Sequence, residues 1–91
     1  MAALSGDDVG RRFTFAIVEG RGEARGHRRR AVAEHLGNWV PFTVTHEWAA
    51  GERYWLVVIF ERDVSAAAVA EFLAESPFYA AGTSRPAETI R

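Results

Sequence analysis

Apolar residues fall into a few runs whose periods differ. From Arg11 to Glu19 (RRFTFAIVE), Phe13, Phe15 and Ile17 alternate with Thr14, Ala16 and Val18, the period of a strand. From Val40 to Glu61, VPFTVTHEW and RYWLVVIFE flank the short loop AAGE. Two β-branched and aromatic runs about a glycine-containing loop predict a hairpin. The second run is apolar at every position from Tyr54 to Phe60. A strand apolar on both faces is one that is covered on both.

Two helices complete the pattern. The first is predicted from about Gly26 to Leu36, with Val32 and Leu36 one turn apart and Gly37-Asn38 as closing residues. The second starts at the N-cap Ser65, with Val64 and Val69 placed as a hydrophobic staple. Val69, Phe72, Leu73 and Ser76 form its stripe, and Pro77 stops it. Phe78 and Tyr79 are expected to fold back onto the core. Within Ala80–Arg91 only Ala87–Ile90 is expected to add a short strand.

A loop over Ala49–Glu52 sets the hairpin register: Trp48 opposite Arg53, His46 opposite Trp55, Val44 opposite Val57, Phe42 opposite Ile59. One face then carries Phe42, Val44, His46, Trp48, Trp55, Val57 and Ile59. The other carries Thr43, Thr45, Glu47, Tyr54, Leu56, Val58 and Phe60.

The order β-α-β-β-α, with a possible terminal β, resembles the ferredoxin-like plan over residues 11 to 80: an α+β fold with an antiparallel sheet and two helices on one face. The expected organisation is a flexible tail over 1–10, a single α+β domain over 11–79, and a tail or short edge strand over 80–91. The more aromatic face, with Phe13, Phe15 and Ile17, is the expected core. Tyr54, Leu56, Val58 and Phe60 are thereby expected on the open face beside Val18. A contiguous apolar patch of that kind marks a partner site.

Composition narrows the function classes. Among 91 residues, 48% are hydrophobic and 25% charged, as in ordinary globular domains. No apolar run reaches the roughly 18 residues of a membrane span, and MAALSGDDVG has no signal-peptide pattern. A cytoplasmic protein is expected. All eleven basic residues are arginine, as a GC-rich genome encodes, and the net charge of −1 gives no global field for nucleic acid. Without cysteine there is no thiolate metal site or disulfide. No metal and no cofactor are expected.

Two stretches carry candidate chemistry. GRGEARG, over Gly20–Gly26, joins a strand to a helix but lacks the dinucleotide glycine spacing. Arg21, Gly22, Arg25, Arg28 and Arg29, with Arg30, make it a weak anion-site candidate. The alternative is a solvated basic loop. His46 is the weak catalytic candidate, a strand histidine expected on the core face and lining a cleft, with a structural histidine as the alternative. Glu34-His35 ends the first helix, where the dipole favours a histidine.

Three readings follow. The first is a protein-binding module, most simply a homodimer, joined through the open face. The second is a small dimeric α+β-barrel-type enzyme or ligand binder using His46. The third is anion or RNA binding through Arg21–Arg30. RNA-recognition motifs place aromatics on the open sheet. The expected open face offers Tyr54 and Phe60 with Leu56 and Val58 between them, a poor match.

Overall fold

An alternating strand, a hairpin and two helices give an α+β fold: one four-stranded antiparallel sheet and two helices. The computed structural model describes residues 9–18, 24–76 and 78–87. The elements are β1 (Val9–Val18), α1 (Ala24–Gly37), β2 (Phe42–Ala50), β3 (Arg53–Ser65), α2 (Ala66–Ala74) and β4 (Arg85–Pro86). The sheet order is β2-β3-β1-β4. No described helix is long and apolar enough to cross a membrane.

The hairpin turn is tighter than its sequence predicts. Ala50 pairs with Arg53, which leaves Gly51 and Glu52 as a two-residue turn. Gly51 takes φ of +65°, whereas no described non-glycine residue has positive φ. A glycine at the first central position is what a type II′ hairpin turn requires. The register therefore moves by two near the turn, and Trp48 faces Trp55 instead of Arg53. A bulge between Val44 and His46 takes one of these two positions back, so Val44 and Phe42 are displaced by one. The Thr45 hydroxyl donates to the Val57 carbonyl across this bulge at 3.2 Å. A one-residue slip exchanges faces. Phe42 and Val44 consequently join Phe60 and Val58, while His46 and Trp48 join Val57 and Trp55.

The second correction concerns β3. Phe13 pairs with Val58 and Phe15 with Leu56, so these residues share a face with Ile17 and Tyr54. Leu56, Val58 and Phe60 are buried in the core with Val32 and Leu36 of α1 and Val69 and Leu73 of α2. The expected open-face set thus lies beneath the helices, and Trp55, Val57 and Ile59 face the other way. Only Val18 of the expected patch, 41% exposed and opposite Arg53, stays on the open face. With apolar residues on both sides of β3, periodicity alone does not choose its orientation; pairing with the three bulky residues of β1 does.

The helices follow their signals. Val32 and Leu36 anchor α1. The Ser65 hydroxyl accepts from the Ala68 amide at 3.0 Å, capping α2. Phe78 and Tyr79 pack on the core as expected. The Val18 amide donates to Phe78 O, and Thr83 Oγ1 accepts from the Ala16 amide at 2.9 Å, so this segment runs along β1. The short edge strand forms at Arg85–Pro86. The expected Ala87–Ile90 strand lies mostly outside the described residues.

Candidate functional site

Helix packing on one side of the sheet leaves, among the described residues, an open sheet face and a cleft beside α1 that a ligand or partner can reach. The first is the open face. In the ladders it carries Arg12, Thr14, Ala16 and Val18 of β1 with Arg53, Trp55, Val57 and Ile59 of β3, of which Thr14 and Ala16 are buried. Thr43, His46 and Trp48 of β2 continue it, and Arg85 of β4 lies beside Thr14. Trp48 is 45% exposed. Its ring lies parallel to that of Trp55, with centroids 6.0 Å apart and 6° between planes. Val57 and Ile59 are half-buried next to them. The Arg85 guanidinium sits 5.9 Å from the Trp55 ring. Among the described residues, the strand pairs around Trp48 and Trp55 place no carboxylate on this face.

His46 belongs to this face and is exposed, which corrects its expected place on the core side. Its Nδ1 lies 3.1 Å from the neighbouring Thr45 hydroxyl. It does not line the cleft described next. His35, by contrast, is held structurally: Nε2 lies 2.8 Å from Phe72 O, and the ring stacks on Phe72 at 4.3 Å. No group of three or more metal-ligating side chains occurs among the described residues.

The second surface is a cleft between α1 and the β2 side of the helix-covered face. It encloses about 360 Å³ and is lined by Phe15, Leu56, Phe42, Val44 and Ala33, with Gly26, Arg29, Arg30 and Glu47. It exists because α1 turns small residues, Gly26 and Ala33, toward a strand whose Val44 is left 38% exposed. A Cβ added at Gly26 would meet nothing within 4 Å. At one end the Tyr54 hydroxyl donates to the Glu47 carboxylate, and the Arg29 guanidinium lies 4.2 Å from the Tyr54 ring centroid. The bond to Glu47 raises the Tyr54 hydroxyl above its ordinary pKa. Partial burial and the Glu47 charge add to this, and Arg29 opposes it.

The arginine-loop residues are not gathered into one described site. Arg21 and Gly22 lie outside the described residues. Arg25 falls on α1, with its side chain outside the description. Arg28 donates to Val18 O at 3.3 Å and lies 5.0 Å from the Phe78 ring. Arg29 turns instead toward Tyr54 and the cleft.

Sequence reasoning missed Trp48, Trp55, Val57 and Ile59 as the open patch, and Arg30, Ala33 and Val44 as cleft walls. The odd-numbered phase of β3 signalled Trp55, Val57 and Ile59 of the first group, and Trp48 follows from its pairing with Trp55. Nothing local signalled the second, whose walls come from α1 and from three separate strands. Comparison with protein-family models, curated proteins and solved structures returned no match.

Proposed function

We propose that the chain is a small binding module that self-associates through the open face of its sheet. The element order and the strand order β2-β3-β1-β4 support reading the fold as the ferredoxin-like plan. The observation that carries the function is the Trp48–Trp55 pair, continuous with Val57, Ile59 and Val18 on a face that neither helix covers. Large apolar side chains contribute about 1.5–3 kcal/mol each on full burial, so such a face gains by meeting another. A second copy brings the same patch about a two-fold axis. Aromatic residues and arginine are enriched at such interfaces, and Arg12, Arg53 and Arg85 border the apolar centre as a polar rim. A three-strand face falls at the lower end of the roughly 800 Å² per partner of standard interfaces, which corresponds to a concentration-dependent dimer.

One feature favours a second reading. Arg53, Arg85 and His46 lie beside two stacked tryptophans with no carboxylate between them in the strand pairs. Aromatic platforms with a cationic border bind single-stranded nucleic acid. Val57→Arg separates the readings. It places a charge at the centre of the face while the core side of β3 is untouched. Self-association predicts a folded chain that elutes as a monomer where the wild type elutes as a dimer. If the wild type elutes as one chain, and oligouridylate quenches its tryptophan fluorescence equally well in Val57→Arg, the nucleic-acid reading replaces self-association.

A further inference from the structure

We propose that the cleft between α1 and β2 is a binding site for a small neutral molecule with an apolar ring. This inference is independent of what covers the open face, because the cleft lies on the opposite side of the sheet.

Shape comes first. The cleft, at about 360 Å³, is within the size of small-molecule pockets, which span roughly 300–1,000 Å³. Phe15 of β1, Leu56 of β3 and Phe42 and Val44 of β2 line it, and α1 contributes Gly26 and Ala33. Phe15 and Leu56 are buried, whereas Val44 is 38% exposed. The walls are thus continuous with the core, yet one large apolar side chain is left against water. Gly26 has no side chain, and a Cβ there would meet nothing within 4 Å, so α1 leaves the space open. A ring laid against Val44 and Phe42 fills that space and takes Val44 out of water.

The polar groups select against charge. Arg29 is already engaged, its guanidinium 4.2 Å from the Tyr54 ring centroid. The Tyr54 hydroxyl in turn donates to the Glu47 carboxylate. These three side chains occupy one another at one end of the cleft. The charges left in the lining balance, one arginine (Arg30) against one carboxylate (Glu47). An anion entering the cleft meets Glu47 and a cation meets Arg30. Either one also sheds water against apolar walls, which is costly for a charge without a partner of its own. A neutral ring incurs neither cost. The bound molecule therefore sets its ring over Val44, Phe42, Leu56 and Phe15 and carries no net charge.

Indole is the probe, titrated into the full chain while backbone amides are followed by NMR. Saturable shifts centred on residues 26–33 of α1 and 42–47 of β2 are expected, with a Kd of about 1 mM or tighter. Indole-3-carboxylate and indol-3-ylmethylammonium keep the ring and add one charge of either sign. Both are expected to bind about tenfold more weakly. Val44→Phe and Ala33→Phe each fill the cleft from an exposed position, one on β2 and one on α1, and abolish indole binding. If one of them fails to fold, the other and the two charged analogues carry the test. Val57→Arg keeps full binding, which separates failure of this site from failure of self-association. Unsaturable shifts, shifts centred instead on Trp48 and Trp55, equal binding of either charged analogue, or unchanged binding in folded Val44→Phe or Ala33→Phe would each overturn the assignment.

Discussion

Val57 and Val58 are neighbours of identical chemistry on β3, and they test its orientation most sharply. Val58 is fully buried between Phe13 and the helices; Val57 lies half-buried opposite Thr14 and His46. Truncating Val58 to alanine removes two methyl groups, about 0.8 kcal/mol each in transfer, and leaves a cavity in a closed core. The expected loss is about 2–3 kcal/mol. Val57→Ala removes the same atoms from a face that water reaches, so the loss should stay below about 1 kcal/mol. A 91-residue domain has roughly 5–14 kcal/mol to lose, so the difference is measurable. Urea unfolding at low micromolar concentration, where association contributes least, gives both midpoints, and an unchanged m-value shows that stability alone has moved. Equal losses, or a larger loss at Val57, would mean that β3 is turned the other way.

Two further outcomes follow from the same structure. Ser65→Ala removes the cap of α2 and should cost about 1 kcal/mol in thermal or chemical unfolding, whereas Ser65→Asp should restore most of it. The Tyr54 hydroxyl, raised above its ordinary pKa chiefly by Glu47, holds its proton more tightly folded than unfolded. Its contribution to stability is therefore complete below about pH 10 and is lost as pH rises through the folded value. An absorbance titration with Tyr54→Phe as the difference spectrum should show that value falling in Glu47→Gln; no change would remove Glu47 as the cause.

How far the chain reveals its fold differs from element to element. Helix α2 was readable because its signals are local: Ser65 caps it, and Val69 and Leu73 recur at helical spacing and are both buried. The hairpin was readable as a hairpin, since Gly51 stands between two β-rich runs. Its register was not. A four-residue and a two-residue loop both accommodate AAGE, and the bulge at Thr45 carries no residue that forces it. The identity of the open face depended on that register and on which side of β3 meets Phe13 and Phe15. Both sides of Tyr54–Phe60 are apolar, so the choice rests on contacts between residues far apart in the chain, such as Phe15 with Leu56. The existence of an uncovered apolar face was inferable from two helices and one doubly apolar strand; its members were not. The cleft was inaccessible for a simpler reason. Gly26, Ala33, Val44 and Glu47 have no common pattern until the fold brings α1 and β2 to the two sides of one cleft.

The central claim is that a second copy of the chain covers Trp48, Trp55, Val57 and Ile59. Sedimentation equilibrium of the wild type, from about 1 µM to about 1 mM, measures this without any variant or ligand. The account predicts an average mass that rises with concentration from 10.1 kDa toward twice that value. A soluble chain that stays at 10.1 kDa throughout the range would contradict it.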